Sequence, residues 1–369
     1  PGTRTMARRI LIICLDGFGP DYLALSPTPN LDRMIGQGSL VIGRGVVPSV
    51  TNVNNVSIVT GTTPSVHGIT ANYWLDRAAG VERFMESPRD IRVPTFLERA
   101  RARGRSTALL TAKRKLLDLL RAGADNALSA EVPDADLVAS LGPPPDIYTT
   151  EVNVWLLRAL RRVLRTRDPE VVYAATTDYA MHKFGPQEEE SQAHIQGLDR
   201  VLGQIVDDCP DREIYLTADH GMSAKSRGVD LERILAAQGI AGRAVPIIKD
   251  RYVVHHQNLG GAAYVHLDLP DTVSPAGQIL AQTPGVEAVF PRWEAAREFD
   301  LLAERIGDLF VLADRATVFG QFPQAETALS RLRSHGSRHE ARVPIIAYGA
   351  RAGTAFERNF DPAAGLDLD

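Results

Sequence analysis

The sequence predicts an α/β protein in which helices flank a central, mostly parallel sheet and a smaller α/β cap is inserted late in the chain. Three observations lead there. The runs at residues 10–15, 171–175 and 214–216 are apolar at every position, as strands buried on both faces of a parallel sheet are. Between them lie segments with apolar residues at three- and four-residue steps, 151–164 and 188–207 being the clearest. These read as helices packed on the sheet. After Met222 the character changes to short strand-like stretches separated by Gly- and Pro-containing turns. The expected division is a discontinuous core of residues 7–223 and 331–360 with residues 224–330 as the inserted cap.

At 369 residues the chain can bury a substantial core. Its 41 basic and 45 acidic side chains sum to a formal charge of -4, which argues against nucleic acid or an anionic membrane as the partner. Cys14 and Cys209 cannot build a disulfide framework, and Cys14 inside an apolar run reads as a small core residue. The apolar stretch that stops at Asp16 is too short to span a membrane, and the cleavage pattern of a signal peptide is missing. A reducing, cytoplasmic setting is the expectation. The oligomeric state stays open, a homodimer being one option.

Taken in order, the strand at 10–15 delivers Asp16-Gly17 at its carboxyl end, where open α/β sheets place ligands. A short helix is expected over 30–35. The next segment is dense in Thr, Ser and Asn; Pro48 constrains its approach, and a helix over 52–59 would put the Thr51 hydroxyl near an anion-binding helix end. An amphipathic helix over 94–103 closes at Gly104, and a strand over 106–110 leads to Lys113 and Lys115. Two lysines past a strand end suit a second anionic group, although lysine runs are common on surfaces. The strand at 171–175 is followed by Asp178 and His182, four residues apart, which share one face if the chain turns helical. The strand at 214–216 ends on Asp219-His220-Gly221. In the cap, RYVVHHQ, GAAYVHLDL, VEAVF and DLFVLAD read as strand-like. His255, His256 and His266 lack a carboxylate partner at convincing spacing and are left out of the site. His194 reads as a surface or packing residue. His335-Gly336 and an apolar strand over 344–348 return the chain to the first sheet, and residues beyond Phe360 read as a loosely held tail.

The candidates are three strand-end carboxylates, Asp16, Asp178 and Asp219, three histidines, His182, His220 and His335, and the Thr51 hydroxyl. So many ionisable groups at one sheet edge would be costly to bury without partners. Two zinc ions would neutralise them, and manganese or iron also accept this mixture of ligands.

At these residues the chain resembles the alkaline phosphatase superfamily, and within it the phosphonoacetate hydrolases. The pieces that carry the resemblance are PSVTNVNNVSIVTG, PSVHGITANYW, TAKRK, TTDYAMHKFGP, TADHG and LRSHG. It implies an alkaline phosphatase-like fold, with one metal on Asp178, His182 and His335 and another on Asp16, Asp219 and His220. By the same resemblance Thr51 is the nucleophile and touches the second metal, Asn72 contacts the phosphoryl oxygens, and Lys113 and Lys115 hold the substrate carboxylate. Asn54 supports the site from behind, and His339 is the replacement considered for His335. The implied activity is hydrolysis of the C–P bond of phosphonoacetate, a small anionic phosphonate, to acetate and phosphate through a phosphothreonine.

Rival readings remain. A phosphodiesterase or nucleotide pyrophosphatase would share the metals and Thr51, with Tyr73 and Trp74 offering a base-stacking slot; the TAKRK piece is what separates the two. Another carboxylated phosphonate is an alternative substrate. A phosphoglycerate mutase would be expected to attack with serine rather than threonine, and a non-catalytic binding module would tolerate loss of Thr51.

Overall fold

In the computed structural model, which describes residues 8–349, 356–366 and 368, seven strands form the main sheet. Their order is Ser39–Arg44, Arg342–Tyr348, Glu213–Thr217, Ile10–Cys14, Val171–Ala175, Thr107–Thr111 and Asn126–Ser129. The five strands from Glu213–Thr217 onward are parallel, whereas Arg342–Tyr348 runs antiparallel to both of its neighbours.

The central strands are buried from end to end, and period-two alternation divides them between two apolar layers. Ile10, Ile12 and Cys14 face one layer; Leu11, Ile13 and Leu15 face the other. Glu151–Thr166 and Glu189–Asp208 cover the second layer, presenting Leu156, Leu160, Leu198 and Leu202 to it. Each fully buried aliphatic side chain of this kind contributes roughly 1.5–3 kcal/mol, so the burial of these strands outweighs any local preference. Thr51–Thr60, Phe96–Ala102 and Arg114–Leu120 cover the first layer. Thr95 and Glu98 form a reciprocal capping box at the start of the Phe96 helix.

The segment 224–330 adds a four-stranded antiparallel sheet in the order Gly242–Pro246, Ala262–Leu267, Leu309–Ala313, Val286–Pro291. Ser223–Val229 pairs antiparallel with Glu326–Ser334, so the two ends of the segment leave the core side by side. A short hairpin, Tyr73–Asp76 with Val81–Phe84, lies outside both sheets.

Two local expectations fail. RYVVHHQ is not a strand; Val253–His256 is a helical turn stopped by Gln257 in the left-handed region. A strand would send His255 and His256 to opposite faces, while the turn buries both. Nor are the described residues after Phe360 loose. Asp361 Oδ2 accepts from the Glu357 and Arg358 amides at 2.7 Å each, starting the turn Asp361–Ala364, and Ala363 and Leu368 join the apolar layer beside Thr51–Thr60. Among the described residues, no helix is long and apolar enough to cross a membrane.

Candidate active site

Three strand ends and the start of one helix converge. Asp16 follows Ile10–Cys14, and its amide donates to Thr176 Oγ1 at 2.8 Å. Gly17 turns the chain with φ 76°, and a Cβ there would sit 3.0 Å from that of Asp178, so glycine is required by both conformation and space. Asp219 follows Glu213–Thr217, and its Oδ1 accepts from the Gly17 and His220 amides at 3.1 and 3.0 Å. Asp178 precedes the turn Tyr179–Lys183, which carries His182 onto the same face. Thr51 opens the helix Thr51–Thr60, with Oγ1 3.4 Å from His220 Nε2.

The histidines reveal what the cluster is for. His182 Nδ1 donates to the Arg333 carbonyl at 2.7 Å, His335 Nδ1 to that of Ser49 at 2.7 Å, and His220 Nδ1 to that of Gly221 at 2.9 Å. The tautomer follows from those acceptors, leaving each Nε2 with a lone pair. Those lone pairs face carboxylates: His182 Nε2 lies 2.8 Å and His335 Nε2 3.4 Å from Asp178 Oδ2, and His220 Nε2 3.3 Å from Asp16 Oδ1. Lone pair against carboxylate repels unless a cation lies between them, and a carbonyl behind Nδ1 is how proteins orient metal-ligating imidazoles. Asp16 Oδ1 and His182 Nε2 have no hydrogen-bond partner. The residues therefore fit metal ions. Asp16, Asp219 and His220 offer ligand atoms within 4.8 Å of one another, as do Asp178, His220 and His335, and Asp178, His182 and His255.

Electrostatics agree. Burial pushes the Asp16 and Asp219 carboxyls up, Asp219 to about 6, and the charge of Asp178 adds to both shifts. Burial also opposes the charged form of Asp178, but the Lys113 ammonium holds its carboxyl well below the usual range. Burial pulls His220 and His335 down, so their neutral, ligating forms are favoured.

Lys113 Nζ sits 2.8 Å from Asp178 Oδ1 and 3.3 Å from Asp16 Oδ2, fully buried. It is the cation nearest the carboxylates. Lys115 pairs instead with Asp250, which also accepts from His256 Nε2 at 2.8 Å. Asn72 lies beside the Thr51 helix, its Oδ1 accepting from the Asn52 amide at 3.0 Å and its Nδ2 donating to the Ile248 carbonyl at 3.2 Å. Asn54 braces the loop before Thr51 through Val46. His339 pairs with Glu287 on the cap and does not replace His335. His194 is a packing residue, buried beside Asn153.

Sequence reasoning missed three groups. Asn55 donates to the Thr51 carbonyl at 2.9 Å and to Asp219 Oδ2 at 3.2 Å, and accepts from Tyr173 at 2.7 Å; its place four residues after Thr51 on one helix face was the available signal. His255 and His256, set aside as unpartnered, both reach the cluster: His255 Nε2 is 3.6 Å from Asp178 Oδ1, and His256 holds Asp250.

The family model for type I phosphodiesterase/nucleotide pyrophosphatase matches residues 10–338. The chain belongs to that family. Among solved structures, phosphonoacetate hydrolase from Sinorhizobium meliloti 1021, in complexes with phosphonoformate and with phosphonoacetate, is 32% identical over 96% of this chain and 94% of that one, with a TM-score of 0.87. Murine ectonucleotide pyrophosphatase/phosphodiesterase 5 shares the fold, with a TM-score of 0.71 at 17% identity over 97% of this chain and 93% of that one. An uncharacterised pyrophosphatase/phosphodiesterase of Schizosaccharomyces pombe is 28% identical over 66% of this chain and 51% of its own length. The mouse bis(5'-adenosyl)-triphosphatase enpp4 is 28% identical over 61% of this chain and 50% of its own. The chain thus spans about half the length of these two curated relatives. As a family member it has an alkaline phosphatase-like fold.

Proposed function

We propose that this family member is a phosphonoacetate hydrolase. The observation that carries the reading is the pair Lys113 and Lys115, both buried at the start of one helix, the first against the carboxylate cluster and the second against Asp250. Esters need no such pair. A C–P bond breaks only if carbon leaves with the bonding electrons, and an adjacent carboxylate can take them as an enediolate. Ammonium groups at that carboxylate stabilise charge that grows as the bond breaks, which is the differential binding catalysis requires.

Two zinc ions, one held by Asp178, His182 and His335 and the other by Asp16, Asp219, His220 and Thr51, would neutralise the phosphonate oxygens and favour the Thr51 alkoxide. Thr51 attacks phosphorus in line, forming the Oγ1–P bond as the P–C bond opens. The electron pair passes into the leaving carboxylate, a proton adds at carbon, and acetate departs. Water then cleaves the phosphothreonine to phosphate. Asn55 holds the first turn of the Thr51 helix and Asp219 in register during both steps. Asn72 fixes the Asn52 amide beside the attacking hydroxyl. Lys113 is freed for the substrate once its two carboxylates have another cation.

The phosphodiesterase reading rests on the nucleotide-acting relatives. Against it, Trp74 is part of the apolar core, and the Tyr73 ring is covered by Lys249 at 4.1 Å while its hydroxyl donates to Glu82. The Trp74 ring is closed to a base, and one face of the Tyr73 ring is taken by Lys249. The test compares zinc-loaded protein on phosphonoacetate and on a chromogenic phosphodiester. Strong preference for phosphonoacetate is expected; efficient diester cleavage with phosphonoacetate untouched would move the protein to the phosphodiesterase branch.

A further inference from the structure

The cap turn at residues 250–256 sets several polar side chains over the cluster, and most already have partners. Asp250 carries Lys115 and His256, Tyr252 donates to Glu131 at 2.6 Å, and His256 Nδ1 accepts from the Asn258 amide at 2.9 Å. His255 is different. It is buried, and neither of its ring nitrogens has a hydrogen-bond partner. Its Nε2 is 3.6 Å from Asp178 Oδ1 and its ring centroid 5.1 Å from that of His182. Tyr148 and Tyr179 lie against it at centroid distances of 5.7 and 6.1 Å.

A buried imidazole with both nitrogens open points to a missing ligand. Two donors on one tetrahedral zinc, each about 2.0–2.1 Å from it, stand about 3.3 Å apart, so the spacing from Asp178 to His255 is near that of co-ligands. With His335 as third donor, however, a fourth protein ligand would close the position that a catalytic ion keeps for water or substrate. His255 comes from the cap and faces that position from outside. We infer that His255 is a substrate contact, its ring N–H donating to the phosphonate oxygen that faces Asp178 and His182. The inference rests on the phosphonate reading only for the rest of the ligand, because any phosphoryl group there meets the same N–H.

Calorimetry on zinc-loaded full chain in a Thr51→Ala background tests it, with phosphonoacetate and inorganic phosphate as probes and zinc affinity measured by chelator competition. His255→Phe keeps an aromatic ring against the tyrosines and removes the donor. It is expected to weaken both probes by roughly ten- to a hundredfold at unchanged zinc affinity, with His255→Asn recovering part of the loss. Lys115→Ala is expected to weaken phosphonoacetate alone. Weaker zinc binding in His255→Phe would make His255 a metal ligand, and unchanged binding of both probes would make it packing; either overturns the contact. If the parent binds phosphate but not phosphonoacetate, the phosphonoacetate reading fails while the His255 comparison on phosphate still decides. A parent that binds neither sinks both.

Discussion

Two of the places where this molecule buries histidine do it in opposite ways. In the core, packed on the Thr51 helix, His67 Nδ1 accepts from the Ile69 amide at 3.1 Å and Nε2 donates to Ser57 Oγ at 2.8 Å. One neutral tautomer satisfies both nitrogens, and nothing is left to bind. At the strand ends, His182, His220 and His335 spend Nδ1 on a carbonyl and turn Nε2 toward carboxylates. Burial is the same; the unspent lone pair marks the site. A buried histidine therefore becomes a ligand candidate through its second nitrogen, not through its depth.

The sharpest way to break this contrast is at the centre of the open set. Thr51→Ala should lower phosphonoacetate turnover by roughly a thousandfold or more with zinc content by mass spectrometry unchanged, since a three-residue ligand set remains on each side. Retained turnover would remove the phosphothreonine. Stripping zinc with a chelator should lower the melting temperature of the wild type, while His67→Gln, already satisfied without metal, should shift stripped and loaded protein by the same amount.

Next in size is the Lys115–Asp250 pair, buried on both sides. Lys115→Met leaves a buried carboxylate with only His256 and the Tyr252 amide as partners, at a cost of about 3–5 kcal/mol, read as a lower urea midpoint. Lys115→Met with Asp250→Leu should recover most of that stability and none of the preference for a carboxylated substrate. Recovery of both would mean that Lys115 is structural. Smaller again is Asn55→Leu, which strands the Asp219 and Tyr173 partners and should cost about 1–3 kcal/mol in urea unfolding, with a lower kcat and little change in KM.

What the sequence made legible follows the same division. Asp16, Asp219-His220 and Asp178 with His182 each sit within a few residues of an apolar run, so one strand and its first turn place them. Thr51 was found because a Thr- and Asn-rich stretch opens a helix. His335 over His339 came from resemblance, and only the packing of residue 339 against Glu287 settles it physically. His255 and His256 were illegible because their position depends on a helical turn within a stretch that alternates like a strand, and on how a segment beginning beyond residue 223 folds back. The docked turn after Phe360 was hidden for a related reason. Its few apolar residues are buried only because the Thr51 helix offers them a surface.

The smallest expected effect tests the satisfied member. Burial holds His67 at about 3, well below its ordinary value, with the Arg305 charge adding to the shift. A group depressed in the folded state contributes stability that is present above its unfolded value of about 6.5 and is lost as pH falls toward its folded value. Its window is therefore about pH 6.5 to 3, and one pH unit inside it is worth about 1.4 kcal/mol. Urea midpoints of wild type and His67→Gln, both stripped of metal, should converge as pH falls from 6.5 to 4.5, because only the wild type must take up this proton on unfolding. The strand-end histidines cannot cause that convergence, since both proteins carry them unchanged. Parallel pH profiles would show that His67 is charged in the fold, and the donor and acceptor roles assigned to Ser57 and Ile69 would have to be exchanged or abandoned.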